Sequence, residues 1–261
     1  MTAPTKENLE QVALKAATAA GKILSSYFGE PLILEDKDAP SPIVTEADFE
    51  TEKELRKVIW QAFPDHNIWG EELGLVDKGS VFTWVLDPLD GTIAFINGKP
   101  LFTTLIAVCE NNTPILGVMT QPILDYQWIG RKNDSTRFGA KPAKTSGAKS
   151  LAETRLSTTD PYLFSKEKSK TWFEVLKDRA KVTSYGGDAF AYGLLANGAV
   201  DLIIESELSW HDAAALIPIV EGAGGFITDF DGKPLNPATR FFDVIAAASE
   251  ELLVEALSLK P

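Results

Sequence analysis

Sulfur and imidazole are scarce in this chain. One cysteine, Cys109, and two histidines, His66 and His211, stand among 261 residues. A lone cysteine excludes an intrachain disulfide, and its place in the apolar run Leu105-Ile-Ala-Val-Cys109 makes it core packing. Two histidines cannot supply a histidine-rich zinc site. Ser209-Trp-His211-Asp212 is not a triad, because triads are set by geometry and not by adjacency in sequence. No apolar run approaches the ~18 residues that a membrane span needs. The first residues lack the basic-then-apolar pattern of a signal peptide, so a cytoplasmic setting is expected. Internal repeats and low-complexity tracts are also missing. Positive charge is short: 25 Lys and Arg face 37 Asp and Glu, a net charge of −12. That deficit excludes nucleic-acid backbone as a partner. It suits an anionic substrate only where metal ions reverse the local sign.

What is present is enough to build a core. Hydrophobic residues make up 44 % of the chain. Apolar positions Leu9, Val12, Ala13, Ala16, Ala20, Ile23, Leu24 and Tyr27 form a helical stripe over 7–28. Pro31–Glu35 reads as a short strand, Asp36–Pro42 as a loop, and Thr45–Ala62 as a second helix. Strands are expected near 82–87, 102–109, 115–120 and 126–130. Beyond 150, helices expected at 165–178, 188–197, 211–222 and 250–259 alternate with strands near 154–158, 181–185, 200–204, 225–229 and 242–247. Such alternation points to layered α/β architecture. The Lys-, Ser- and Gly-rich stretch 132–150 marks a boundary between two halves of one domain, 1–148 and 149–261. Gly222-Ala-Gly224-Gly225 follows a helix, so it reads as a helix end and not as a dinucleotide loop.

The most informative stretch is Trp84-Val-Leu-Asp87-Pro88-Leu89-Asp90-Gly91-Thr92. An apolar strand runs to Asp87, where Pro88, with no N–H to give, is expected to end the ladder. Asp87 and Asp90 can hold a hard cation. The N–H groups of Gly91 and Thr92 can hold a phosphate at the start of the next helix. An ordinary Asp-Gly turn explains the same letters. Other acids have similar double readings. Asp48 is a candidate site acid, or the N3 member of a capping box with Thr45. Glu71 and Glu72 follow Gly70; one of the two can be a ligand, or both belong to a solvated turn. Asp212 opens an apolar helix, where a carboxylate also favours the helix dipole. Glu205 ends the apolar strand Asp201-Leu-Ile-Ile-Glu205.

Four blocks together resemble the inositol monophosphatase superfamily of Mg²⁺-dependent, lithium-sensitive phosphatases. They are Ser41-Pro-Ile-Val-Thr-Glu-Ala-Asp48, Trp69-Gly-Glu71-Glu72, the Trp84–Thr92 stretch, and Trp210-His-Asp212 running to Glu221-Gly-Ala-Gly-Gly225. Lys37 matches the metal-site loop of that family. Gly98-Lys-Pro-Leu-Phe102, Tyr185-Gly-Gly-Asp188 and Thr228-Asp229 are similar to its histidinol-phosphate phosphatases. Two positions depart from that group: Ile93 stands where Arg or Lys is usual, and His211 where many members carry Trp.

The resemblance implies a layered αβαβα sandwich, as in inositol monophosphatase and fructose-bisphosphatase, and a homodimer. It implies Glu71, Asp87, Asp90, Asp212 and the carbonyl of Leu89 as ligands for two or three Mg²⁺ ions. No organic cofactor is expected. Thr92, paired with Asp48, is implied to orient a water nucleophile and take its proton. Gly91 and Thr92 would meet the phosphate. Asp188, Glu205 and Asp212 would meet the rest of the substrate. The implied reaction is hydrolysis of a small phosphomonoester, with histidinol phosphate, an intermediate of histidine biosynthesis, expected first. Inositol or sugar phosphates are the alternative, and nucleotide 3′-phosphates a third. A non-catalytic metal-binding scaffold would need a lost ligand, and none is lost.

Overall fold

The computed structural model describes residues 4–32, 34–36 and 43–261. Lys37 and the rest of the expected loop up to Pro42 lie outside the described residues. The chain opens with α1 (Lys6–Tyr27), capped by Thr5, whose hydroxyl accepts the N–H of Asn8. It continues through β1 (Leu34–Asp36), β2 (Ile43–Thr45), α2 (Glu46–Ala62), β3 (Asn67–Gly70), β4 (Gly74–Val76) and β5 (Phe82–Asp90). The helix α3 (Thr92–Ile96) precedes β6 (Thr103–Glu110), β7 (Thr113–Gln121), β8 (Tyr126–Arg131), β9 (Arg137–Phe138) and β10 (Lys141–Pro142). Then come β11 (Arg155–Thr158), α4 (Glu167–Arg179), β12 (Val182–Tyr185), α5 (Asp188–Ala196) and β13 (Leu202–Leu208). The chain closes with α6 (Trp210–Ala214), α7 (Leu216–Gly222), β14 (Phe226–Asp229), β15 (Phe242–Ala247) and α8 (Glu250–Ser258).

Two sheets carry the molecule. One has eight strands in the order β10-β9-β8-β7-β6-β5-β3-β4, antiparallel except where β3 runs parallel to β5. The other has five in the order β12-β11-β13-β15-β14. The period of two along each strand sorts side chains between layers. On β5, Trp84 and Leu86 face α1 and α2, while Val85 faces the opposite way. On β6, Ile106 and Val108 join the first group, and Leu105, Ala107 and Cys109 the second. That second group packs on Phe190, Tyr192 and Leu195 of α5, on Ala213 of α6, and on Leu216 and Ile219 of α7. Those helices also cover Ile203, Val244 and Ala246 of the five-stranded sheet. The far face of that sheet, Leu202, Ile204 and Ile245, packs on α4 and α8 through Trp172, Leu176 and Leu252. The layers are therefore αβαβα, as expected.

The middle helices lie very close to the first sheet. Gly117 and Gly130 are partners across β7 and β8. A Cβ on Gly117 would stand 2.0 Å from the carbonyl oxygen of Ala215, and one on Gly130 2.3 Å from that of Pro218. Two glycines side by side thus form a bare seam on which the α6–α7 junction rests.

Four boundaries differ from the sequence reading. Residues 211–222 form two short helices, not one, because Pro218 lacks the N–H that a continuous helix would give to Ala214. The strand β5 does not stop at Asp87; it continues to Asp90, with Pro88 placed in an irregularity of the ladder between Asp87 and Asp90. Such a bulge is where a sheet tolerates proline. Glu205 does not end its strand, since β13 runs on to Leu208, with a similar shift between Glu205 and Leu208. The short strand β1 starts at Leu34, later than Pro31. Among the described residues, no helix is long and apolar enough to cross a membrane.

Candidate active site

Each site acid is placed by a local device. Glu71 follows β3, and its N–H donates to the carbonyl of Leu86 on the parallel strand β5. Asp87 folds the bulge of β5 by accepting the N–H of Leu89 on Oδ1 at 3.0 Å. Asp212 is the N3 residue of α6 and accepts the N–H of Ser209 at 2.6 Å, a capping box completed by the Ser209 hydroxyl. Carboxylate oxygens of these three acids all lie within 4.8 Å of one another. Strands and a helix far apart in sequence therefore deliver one compact trio.

Asp90 stands beside the trio and not in it. Its Oδ2 accepts the N–H of Ala189 at 2.8 Å and the hydroxyl of Thr103 at 3.4 Å. Burial, then the charges of Asp188 and Asp212, hold its carboxyl well above the ordinary range. Gly91 caps α3 with φ of 79°, and the Thr92 hydroxyl donates to the carbonyl of Leu89 at 3.1 Å. That carbonyl retains a second lone pair.

These residues line a cavity of about 650 Å³. Among the described residues, carboxylates outnumber amines on its wall eight to one, the amine being Lys99. A phosphate ester would be repelled from such a wall unless cations stood in it. Oxygen donors alone form the trio, the set that hard divalent cations prefer. The acidic cluster can bind a metal ion.

The same wall carries Asp188 and Glu205, with Asp188 close to Asp90 and Gly91. Asp188 opens α5 with φ of 44°, left-handed for a residue with a side chain. Burial raises its carboxyl, against the pull of Lys99. Glu205 accepts the N–H of Thr159 at 3.1 Å, the Thr159 hydroxyl, and the phenol of Tyr192 at 2.9 Å. Burial still pushes Glu205 up to about 7. Burial and the Glu205 charge raise the Tyr192 phenol well above its usual value.

Asp48 has a different place. It is 1 % exposed and is not among the described residues that line the cavity. Its Oδ2 accepts both the N–H and the hydroxyl of Thr45, so the capping box read from the sequence is present. Ile93 is 46 % exposed on the cavity wall, and the His211 ring meets Trp69 edge-on at 5.0 Å. The sequence reading missed Thr159, Tyr192 and Lys99. A threonine, a tyrosine and a lysine carry no spacing that marks them before the fold brings them together.

A family model described as "Inositol monophosphatase family" matches residues 5–259. The bifunctional phosphatase IMPL2 of Arabidopsis thaliana is 42 % identical over 92 % of this chain and 71 % of that protein. A histidinol-phosphatase of Chlorobaculum parvum is 32 % identical over 85 % of this chain and 86 % of that one. The solved structure of an inositol monophosphatase from Zymomonas mobilis superposes with a TM-score of 0.88 at 37 % identity, covering 98 % of this chain and 99 % of that one.

Proposed function

The chain belongs to the inositol monophosphatase family of phosphatases, and from that premise we propose that it is a Mg²⁺-dependent phosphomonoesterase with histidinol phosphate as its preferred substrate. The observation that carries the substrate is the pair of further acids on the cavity wall. Asp188 and Glu205 line the same cavity as the trio without being members of it. Histidinol phosphate brings an ammonium and an imidazole beyond its ester, and buried cations need partners. The histidinol-phosphatase and the bifunctional plant phosphatase among the relatives support this reading.

Glu71, Asp87 and Asp212, with Asp90 and the Leu89 carbonyl, are the residues assigned to hold the Mg²⁺ ions, two or three per site. Bound there, Mg²⁺ supplies Lewis-acid stabilisation of phosphoryl charge and lowers the pKa of a water. The N–H groups of Gly91 and Thr92 are assigned to the phosphate. The Thr92 hydroxyl, now given to the Leu89 carbonyl, orients the attacking water, and Asp48 takes the proton through it. Water oxygen bonds to phosphorus as the ester P–O bond breaks, and the proton taken by Asp48 is returned through solvent to the departing alkoxide, which leaves as the alcohol.

The second reading is an inositol or sugar phosphate. Glu205, half protonated near pH 7, meets a hydroxyl as well as an amine, and Ile93 adds no cation at the mouth. Phosphate release from purified protein across Mg²⁺ concentrations, with histidinol phosphate and inositol 1-phosphate side by side, decides between them. A higher kcat/KM for inositol phosphate would rename the activity, and full turnover in excess chelator would remove the metal from it. In the same reading the chain is one domain of two halves, 1–148 and 149–261, supported by the change of sheet between β10 and β11. Lithium inhibition and a homodimer carry over from the resemblance. The expected cytoplasmic setting rests on the lone Cys109; the name of the plant relative places that protein in the chloroplast.

A further inference from the structure

One face of α2 carries three charged residues a turn apart, Asp48, Glu52 and Arg56. The second and third are not absorbed by the proposed chemistry. Glu52 is 0 % exposed and Arg56 5 % exposed. A buried ion pair is costly to desolvate, so its partners show what it is for. Glu52 Oε1 accepts Nε of Arg56 at 2.7 Å and the N–H of Leu73 at 3.2 Å. Its Oε2 accepts the N–H of Glu72 at 2.7 Å. Arg56 in turn donates to the carbonyl of Gly74. The pair thus grips the β3–β4 turn, Gly70 to Gly74, at three backbone points. Glu71, a member of the acid trio, lies inside that turn.

Gly70 completes the device. A Cβ there would stand 1.9 Å from Glu52 Oε1 and 2.3 Å from its Cδ. The carboxylate can therefore reach the turn only beneath a glycine.

We infer that Glu52, with Arg56 and Gly70, is a positioning unit that sets Glu71 in the cation site and ties it to the helix that carries Asp48. This rests on the proposed cation-dependent reaction. Groups behind a metal ligand typically govern affinity by ~10–100-fold. Glu52→Gln keeps the shape but turns an amide N–H₂ toward a donor, whichever way it is placed. Binding of Mn²⁺ to the full chain, freed of metal with chelator, is measured by calorimetry; kcat is measured over a Mg²⁺ titration. The expected result is a Kd for Mn²⁺ raised tenfold or more, a half-saturating Mg²⁺ raised in step, and kcat at saturating Mg²⁺ nearly retained. Gly70→Ala gives the same loss, and adding Glu52→Asp, one methylene shorter, restores part of it. Should Glu52→Gln fail to fold, the double variant Glu52→Leu/Arg56→Leu removes both charges together and is expected to fold with the same weakened binding. Variants that bind Mn²⁺ as the wild type does overturn the inference. So does a loss of kcat that saturating Mg²⁺ leaves in place. A wild type that binds neither ion refutes the proposed function itself, whereas an unaltered variant beside a cation-binding wild type refutes the positioning role alone.

Discussion

Thr159 gives both its backbone N–H and its hydroxyl to one oxygen of Glu205, and that same hydroxyl accepts the N–H of Asp188. One short side chain thus ties together the two acids assigned to substrate recognition. Thr159→Val keeps the volume and the backbone donor but loses the hydroxyl. A hydrogen bond to a charged group is worth about 1.5–3 kcal/mol. We expect KM for the preferred substrate to rise about tenfold or more, the equivalent of ~1.4 kcal/mol, with kcat little changed. Steady-state kinetics of the purified variant check this. An unchanged KM would detach Thr159 from recognition.

Asp90→Asn separates catalysis from stability. Losing a carboxylate from a metal clamp removes several kcal/mol of transition-state stabilisation, a hundredfold or more in kcat. Yet Asp90 is a buried acid among Asp188 and Asp212, and its ionised form is disfavoured there. The metal-free variant should therefore melt at the same temperature as the wild type or higher. Near-normal turnover at saturating Mg²⁺, or a large fall in Tm, would contradict the assignment.

Glu205 makes metal-free stability depend on pH. Its carboxyl titrates at about 7 in the fold, against 4.5 when unfolded. Between those values the folded chain holds more protons, so stability falls as pH rises through the window, by on the order of 3 kcal/mol in all. His66, lowered by burial, acts the other way near its unfolded value of 6.5. Comparison with Glu205→Gln cancels that contribution. In the presence of chelator, melting scans from pH 5 to pH 8 should show a larger loss of Tm for the wild type than for the variant. Equal slopes would mean that Glu205 is ionised throughout. Added Mg²⁺ should raise Tm, and more at pH 8 than at pH 5, since ligands bind the folded state and carboxylates bind cations when ionised.

Asp188→Asn tests which substrate this acid reads. Asn tolerates the left-handed backbone as Asp does, so the φ of 44° survives the change. What is lost is charge. We expect kcat/KM to fall for histidinol phosphate by ~1–3 kcal/mol more than for inositol phosphate. Parallel kinetics on the two substrates check this. Equal losses would make Asp188 a shaping residue that does not sense the amine.

Much of this was legible before the fold was known. Continuous apolar runs such as Trp84-Val-Leu86 mark strands buried on both faces, and α1 shows its apolar stripe openly. Two of the trio acids stand next to turn letters, Gly70 before Glu71 and Pro88 after Asp87, because the chain turns or breaks its ladder there. Other features were not legible, for stated reasons. Pro88 was read as a strand end because a ladder rejects proline; the bulge that accommodates it is a property of the β5–β6 pair. The break at Ala215 was hidden because Pro218 sits in an otherwise helical apolar pattern. Thr159 and Tyr192 acquire meaning only beside Glu205. The Glu52–Arg56 pair looks like an ordinary solvated i, i+4 pair until burial shows otherwise.

The bare seam of Gly117 and Gly130 also fixes when the cation site can come into being. Glu71 directly follows β3 and Asp87 sits on the adjoining β5, so the two are neighbours as soon as the first sheet has formed. Asp212 arrives from the far end of the chain, and only when the backbone of α6–α7 has seated on the two glycines. Contacts of such large sequence separation carry the greatest loop-closure cost in folding. A half-folded chain therefore holds an incomplete set of acids and no strong claim on a cation. Cation capture at the proposed site would therefore report that both sheets have docked, and a side chain grown at Gly117, itself outside the cavity lining, is expected to silence that site as surely as deleting one of the proposed ligands.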